Sequence, residues 1–228
     1  MAPSPGQGSL SEAAYAEVKR RILDLRMPPG SSFTESDLIA ALGVSKTPVR
    51  EALARLRQER LVEAMPRAGY VVTAVTLKDA REVMAMYVLL SGEIASLAAK
   101  TGYDATVLTP LAGPRRVATD DRPAVDAVLN RYEQTQVELA RQAGNSRLLE
   151  AAEVALEHTS RLIRLALALS SEIDVELLSP DADLIRALGA QDAGAAREYA
   201  HKAAEQLKAW VIETLLSSDS VLTANIRR

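Results

Sequence analysis

The feature that most constrains this chain is a tight turn between two short amphipathic helices, in the segment LGVS at 42–45. Thr34 predicts the start of the first helix, because threonine is a favoured N-cap residue and Asp37 follows it three positions later. Gly43 predicts the end of that helix, and Ser45 is expected to cap the next one. Two helices joined in this way are typical of a helix-turn-helix.

The segments on either side extend this pattern to a larger module. Upstream, apolar residues recur at helical spacing before the helix-stopping run MPPG at 27–30. Downstream, two extended stretches, 61–65 and 69–73, flank a hairpin tip with the sequence PRA. We therefore predict a winged helix-turn-helix with a two-stranded wing over residues 10–75, preceded by a Pro- and Gly-rich disordered tail over 1–9.

The first residues of the second helix are candidate DNA contacts, because a recognition helix reads base edges with its N-terminal end. Lys46 and Arg50 lie four positions apart and share one helix face. Both side chains can reach a phosphate or the O6 and N7 atoms of guanine. Ser45 and Thr47 can donate hydrogen bonds to a phosphate.

The hairpin tip supplies a second candidate contact. Arg67 and Gly69 are placed to lie against a minor groove, whose negative potential attracts arginine. The alternative interpretation is that Lys46 and Arg50 form an ordinary solvated face, as isolated basic pairs commonly do. The ordered set of helix, helix, turn, helix and hairpin favours DNA binding.

From Thr76 onward the pattern is helical throughout, and the alternation typical of strands is absent. Ala and Leu dominate this region, which indicates an all-α helical bundle over 76–216 and a C-terminal tail over 217–228. The chain as a whole is predicted to be mostly α. The predicted helices of the bundle are 77–101, 105–118 with a break near Gly113 and Pro114, 122–143, 146–172, 174–190 with an interruption at Pro180, and 192–216.

Charge and composition restrict the function further. The net charge of −3 divides into +2 over residues 1–75 and −5 over the rest, which suits a DNA-binding head on an acidic body. The absence of cysteine excludes disulfides, thiolate zinc sites and cysteine nucleophiles, and it suits a reducing cytosol. Charged residues interrupt the apolar stretches and no signal peptide is recognised, so we expect no membrane segment and a cytoplasmic protein.

Residues 27–72 resemble the GntR superfamily of bacterial regulators. The signature is PPG, then LxxxLGVSxTPVREALxRL, then LV and PxxGxxV. Three positions depart from the family pattern: Ser36 and Lys46 stand where arginine is common, and Arg60 replaces the usual glycine. Because lysine cannot form the planar fork of arginine, we expect the operator or its affinity to differ from those of close relatives. The resemblance implies DNA contacts at Ser36, Ser45, Lys46, Thr47, Arg50, Arg67 and Gly69.

The helical region, over roughly 77–215, resembles the FCD-type effector domain of the FadR branch. The resemblance rests on the spacing at Ile94–Lys100, on AGNSRLL at 143–149, and on LIRALGAQD at 184–192 followed by a pair of alanines. It implies a domain that binds a small-molecule effector and forms a homodimer.

Most FCD domains are expected to hold a divalent metal with one Asp and three His. The corresponding positions here are Tyr132, Gln136, Asp181 and Ala203, and only Asp181 is a good ligand. Zinc and nickel prefer imidazole or thiolate donors, and neither histidine of the chain aligns with these positions. We therefore predict that the family-type metal site is lost and that no cofactor is bound.

An effector pocket is predicted to persist without the metal. Tyr87 and Ser91 stand where the family often has an arginine and a glutamate, so an obvious clamp for a carboxylate is missing and the effector is expected to be less acidic. The alternative interpretation is that the tyrosines and Gln136 are packing residues of a filled core. The candidate pocket residues are Tyr87, Ser91, Tyr132, Gln136, Asp181 and His201.

These observations predict a ligand-responsive regulator that binds a pseudo-palindromic double-stranded operator as a dimer. Repression relieved by ligand is the commoner arrangement that the resemblance implies. A second hypothesis is a regulator that has lost its small-molecule site and acts constitutively or through a protein partner. An enzyme is not expected, because the sequence has no Ser-His-Asp arrangement, no glycine-rich phosphate loop and no HExxH motif.

Overall fold

The computed structural model describes residues 7–102 and 116–217. The chain divides between Val75 and Thr76 into two compact units. The first unit combines three helices with a small sheet, and the described part of the second is helical except for one short ribbon. This architecture confirms the predicted fold class, a mostly α chain with an N-terminal winged helix-turn-helix and a C-terminal helical domain.

The first unit contains a three-stranded antiparallel sheet in which the third strand in sequence lies in the centre. We predicted only the two wing strands. The additional strand is Ser32–Phe33, which pairs with Val71 and Tyr70 as the chain leaves the MPPG turn. The elements are α1 (Gln7–Leu23), β1 (Ser32–Phe33), α2 (Glu35–Leu42), α3 (Lys46–Gln58), β2 (Val62–Met65) and β3 (Gly69–Val72).

The start of α1 differs from the prediction. The helix begins at Gln7, so residues 7–9 are helical although we expected them in a disordered tail. The remainder of that predicted tail, residues 1–6, lies outside the described residues, as does the predicted C-terminal tail except for Ser217.

The core of the first unit is the apolar face that the three helices share with the sheet. The stripe of α3 predicted from its periodicity is buried, with Val49, Leu53 and Leu56 at most 1% exposed. Burial of each such side chain stabilises the unit by about 1.5–3 kcal/mol. The cluster comprises Ala14, Tyr15, Val18, Ile22, Phe33, Leu38, Val49, Ala52, Leu53, Leu56, Leu61, Val62 and Val72.

The turn between α2 and α3 is fixed by its capping residues. The Thr34 hydroxyl accepts from the Asp37 amide at 3.2 Å, and the Asp37 carboxylate accepts from the Thr34 amide at 2.8 Å, which forms a capping box. The hydrogen bonds that the Thr34 amide and hydroxyl donate to the Asp37 carboxylate lower the pKa of Asp37. Gly43 ends α2 at φ 65°. Ser45 precedes α3 as expected, but its side chain makes no capping hydrogen bond.

The second unit is built from five helices of at least eight residues among the described residues. Asp121, Asn145, Asp181 and Asp192 each cap the start of a helix with a side-chain oxygen. The elements are α4 (Leu77–Thr101), β4 (Arg116–Ala118), α5 (Arg122–Gln142), α6 (Ser146–Ala168), β5 (Glu172–Asp174), a 3-10 turn (Val175–Leu178), α7 (Ala182–Gly189) and α8 (Ala193–Leu216).

A short antiparallel ribbon corrects the all-α prediction for this unit. The predicted helix 105–118 lies largely outside the described residues, and its last three residues form β4. The predicted helix 146–172 ends at Ala168 because the chain turns into β5, which pairs with β4. Val117 lies opposite Ile173, and both side chains are buried, so the ribbon contributes apolar side chains to the interior of the unit.

The core of the second unit contains many small side chains. Alanines of α4 meet alanines of α8 and α7, with Ala95, Ala98 and Ala196 fully buried. The pairing of α4 with α8 is the most extensive between described elements. Small side chains on both helices allow this close approach.

The helix α4 meets the length and hydropathy criteria for a membrane span, contrary to our expectation that charges interrupt every apolar stretch. Of its most apolar window, 56% is buried inside the unit. A core helix of a domain passes the same criteria, so this feature is weak support for a membrane segment.

Candidate DNA-binding surface and bundle cavity

The N-terminal end of α3 presents an exposed polar surface. The side chains of Lys46 and Arg50 are 60% and 59% exposed, and Ser45 and Thr47 are also exposed. The Ser45 hydroxyl is not used as a helix cap, so its hydrogen-bonding capacity faces solvent. Two cations and two hydroxyls at the start of one helix can bind phosphate and base edges.

One carboxylate, that of Glu35, lies against both cations of this surface. Its oxygens accept hydrogen bonds from Arg50 Nε at 3.0 and 3.1 Å, and Lys46 Nζ lies 3.8 Å away. Sequence reasoning missed Glu35, because it precedes Arg50 by fifteen positions and only the tight turn brings the two helices together. Acidic residues are common at the start of helices, so the sequence offers no reason to assign Glu35 a further role.

The wing tip has the predicted position and an unexpected constraint. Arg67 is exposed at the turn and adopts φ 63°, a conformation that favours glycine. Gly69 has φ 92°, and a Cβ there would come within 2.5 Å of the Phe33 carbonyl oxygen. Gly69 is thus required for the approach of β1 to β3, which explains this glycine without a DNA contact.

The far end of α3 is attached to α1 by a mixed polar and aromatic cluster. The Tyr15 hydroxyl donates to Glu59 at 2.5 Å and accepts from Lys19 at 2.9 Å. The Arg55 guanidinium lies 3.6 Å from the centre of the Tyr15 ring. Burial and the hydrogen bond to Glu59 raise the pKa of Tyr15. This cluster orients the recognition helix but lies away from its reading end. Ser36, the remaining predicted contact, is exposed on α2.

A cavity in the second unit brings together five of the six predicted pocket residues. Tyr87, Ser91, Tyr132, Gln136 and Asp181 line it, and His201 does not, since that side chain is exposed elsewhere on α8. The cavity has an accessible volume of about 40 Å³. At about 10–15 Å³ for each water, this is room for roughly three water molecules.

Two buried tyrosines form the inner wall of this cavity. Burial raises the pKa of Tyr87 and raises that of Tyr132 further, because the two hydroxyls also face each other. The Ser91 hydroxyl donates to the Tyr87 carbonyl at 2.8 Å. The Tyr132 hydroxyl is fully buried and makes no hydrogen bond of standard geometry within the described residues. A ligand that supplies a partner to this hydroxyl would remove an unfavourable buried group.

The donor set does not fit the divalent metal that the FCD resemblance implies. Tyr132, Gln136, Asp181 and Ala203 line the same cavity, so the aligned positions converge as they would around a metal. Asp181 supplies the only carboxylate among them, and its oxygen caps α7 by accepting from the Asp183 amide. No group of three His, Cys, Asp or Glu side chains in the described parts of the chain is placed to share an ion.

Comparison with known proteins matches a family profile within the first unit and a relative over more than half of the chain. The profile of the family described as "Bacterial regulatory proteins, gntR family" matches residues 10–72. An HTH-type transcriptional regulator from the TAR-I ttuE-ttuC' intergenic region of Agrobacterium vitis is 32% identical over 139 residues, which are 57% of this chain and 80% of that protein. An HTH-type regulator from an unstable DNA locus of Streptomyces ambofaciens is 39% identical over 83 residues, 36% of this chain and 34% of that protein.

A solved structure extends the similarity to both units at the level of the fold. A transcriptional regulator GntR from Rhodococcus sp. RHA1 superposes with a TM-score of 0.65 at 21% identity, covering 90% of this chain and 98% of that one.

A helix-turn-helix with an exposed basic reading end and an attached wing defines a DNA-binding transcriptional regulator. The match to the Agrobacterium vitis regulator spans four fifths of that protein, and the family profile covers nearly the whole first unit. This chain belongs to the gntR family of bacterial regulatory proteins.

Proposed function

We propose that this chain is a ligand-responsive repressor of the FadR branch that acts in the cytoplasm as a homodimer on a pseudo-palindromic operator. The observation that carries the proposal is the coexistence of two sites in one chain. A basic recognition surface lies at the start of α3, and a cavity lined by the buried Tyr132 hydroxyl, which faces Tyr87, lies in the helical unit.

The proposed DNA contacts follow from exposure and chemistry. Arg50 and Lys46 are the candidates for guanine edges and phosphates, and Ser45, Thr47 and the amides at the start of α3 are candidates for phosphate. Ser36 and Arg67 are proposed as flanking contacts with the backbone and the minor groove. Gly69 is proposed only to shape the wing, because the close approach of the Phe33 carbonyl oxygen already explains why a glycine is needed there.

The cavity favours a small effector that forms hydrogen bonds and carries no carboxylate. Tyr132, Gln136 and Ser91 offer hydroxyl and amide groups, and no Lys, Arg or His side chain is among the described residues that line it. A carboxylate ligand would therefore enter without a counter-charge and meet Asp181 at the rim. The cavity has room for about three waters, so a larger ligand must widen it. Binding of such a ligand then favours a different conformation of the bundle.

A screen of metabolites by thermal shift tests this proposal. Neutral polar compounds and size-matched carboxylates are compared, and a ligand at one hundred times its Kd is expected to stabilise the chain by about 2.7 kcal/mol. The same ligand is expected to release the protein from operator DNA in a gel shift. Ala203→Leu, which fills the cavity, should abolish the shift, whereas Ala209→Leu, at an exposed position of the same helix, should keep it.

The second candidate function is a constitutive or protein-partnered regulator. The small volume of the cavity favours it, since a filled core needs no ligand. A screen in which no compound stabilises the wild-type chain, while operator binding is intact, would support this alternative over ligand response.

A further inference from the structure

The Glu35 carboxylate is positioned to control the arginine that the recognition helix presents to DNA. Both of its oxygens accept from Arg50 Nε, at 3.1 and 3.0 Å, and Lys46 Nζ lies 3.8 Å away. The Glu35 side chain is 22% exposed, against 59% for Arg50. A partly buried anion thus holds a cation that is largely in solvent.

The sheet fixes the position of this carboxylate from the other side. The Tyr70 hydroxyl of β3 lies 3.5 Å from Glu35 Oε1. The Tyr70 ring stacks on Phe33 with ring centres 5.9 Å apart, and Phe33 is buried in the core. Glu35 also stands at the first position of α2, between Thr34 and Asp37 of the capping box. The carboxylate is therefore positioned by α2 and by the sheet as well as by the two cations.

The contact with Glu35 uses only one of the three nitrogens of the Arg50 guanidinium. Nε is bound by Glu35, while Nη1 and Nη2 make no hydrogen bond within the described residues. Guanine O6 and N7 are recognised by a parallel pair of guanidinium donors. An arginine that is restrained through Nε keeps such a pair available and loses fewer rotamers on binding.

We infer that Glu35 is a positioning residue that sets the sequence specificity of this regulator by aiming the Arg50 fork at a base edge. The inference rests on the proposed placement of the start of α3 on DNA. Because Glu35 carries the same charge sign as the phosphates, it weakens binding to DNA of any sequence while it strengthens discrimination among sequences. These two effects have opposite signs and can be measured separately.

The experiment uses the full-length chain and three variants on a duplex library with a randomised central segment. Glu35→Gln keeps the size and helix propensity of the side chain but removes its charge. Glu51→Gln is the matched control, because Glu51 is exposed on α3 and makes no ion pair within the described residues. Arg50→Ala removes the proposed base contact. Selected motifs, affinities for the selected and a scrambled duplex, and salt slopes are measured, with circular dichroism as the check on folding.

For Glu35→Gln we expect affinity for the scrambled duplex to rise about threefold, with a salt slope steeper by about 1, since freed cations neutralise a further phosphate. The ratio of affinities for selected over scrambled duplex is expected to fall about tenfold, with the preference lost at the base pairs that Arg50→Ala also affects. Glu51→Gln should change both affinities equally and leave the ratio unchanged.

One outcome would contradict the role of Glu35, and another would contradict the placement of α3 on DNA. A folded Glu35→Gln that selects the wild-type motif with an unchanged ratio overturns the inference about Glu35. If Arg50→Ala also selects that motif with full affinity, or if the wild-type chain selects no motif, the placement of α3 on DNA is itself wrong.

Discussion

Arg60 occupies a backbone conformation that an arginine rarely adopts. It follows α3 with φ 58°, in the left-handed region, and its amide donates to the Arg57 carbonyl at 3.1 Å. The left-handed conformation costs a residue with a Cβ about 1–2 kcal/mol. The resemblance to the family gave glycine as the usual residue here, and the geometry supplies the physical reason for that glycine.

We expect Arg60→Gly to raise the free energy of unfolding by about 0.5–1 kcal/mol, because relief of the strained φ exceeds the larger entropy that glycine has in the unfolded chain. Urea unfolding followed by circular dichroism measures the change. Arg57→Gly is the matched control: it lies within α3 and should lower stability by about 0.5–1 kcal/mol. A destabilised Arg60→Gly would show that the arginine side chain makes a stabilising contact that outweighs the strain.

At the scale of elements, α4 and α5 meet through the buried pair Tyr87 and Tyr132. Burial raises the pKa of both hydroxyls above the usual 10.0, most strongly at Tyr132. In the unfolded chain both hydroxyls lose their protons near that value. Above it the unfolded chain holds fewer protons than the folded one, so the contribution of these groups to stability is complete below pH 10 and is lost as the pH rises.

Tyr132→Phe is expected to change stability at pH 7 by less than about 1 kcal/mol, since the hydroxyl makes no standard hydrogen bond. Above pH 10 the variant should lose about 1.4 kcal/mol less per pH unit than the wild-type chain, because one of the raised groups is gone. Chemical denaturation at several alkaline pH values measures this slope. Identical slopes for the two proteins would mean that Tyr132 ionises freely in the folded state.

Local signals in the sequence were sufficient for the two helices and the turn of the helix-turn-helix. The capping residue Thr34, the stop at Gly43 and the buried stripe of α3 each act within a few positions, so they predicted helix and turn correctly. The fold class follows from these signals and from the helical periodicity after Thr76. The five cavity residues that the structure brings together were named through the family resemblance, not through periodicity.

Contacts between distant positions could not be predicted in the same way. The ribbon pairs Val117 with Ile173, and each of its strands has only three residues, too few for a periodic signal. β1 has two residues and is a strand only because β3 passes beside it. Glu35 and Arg50 meet across a turn, and His201 was placed in the cavity by sequence proximity although its side chain is exposed. Each of these depends on tertiary packing.

At the scale of the whole molecule, the helical unit leaves an apolar face of α4 in solvent. Met86 and Leu89 are 53% and 66% exposed and lie three positions apart on the same face. Large exposed apolar side chains at helical spacing are typical of an interface. A dimer is also what an operator with two half-sites requires, so we propose that this face contributes to the contact between two copies.

Leu89→Glu is expected to convert the proposed homodimer into a monomer, because it would place two charges in the proposed interface. Size-exclusion chromatography with light scattering measures the mass. Val154→Glu, which changes an exposed apolar residue of α6, should leave the proposed homodimer intact. If Val154→Glu rather than Leu89→Glu dissociates the protein, the interface lies on α6.

The alanines at the contact between α4 and α8 have an entropic consequence. A leucine or isoleucine loses rotamer freedom when it is buried, which costs about 0.5–1 kcal/mol. Alanine has no rotamers to lose, so this part of the bundle becomes ordered without that cost.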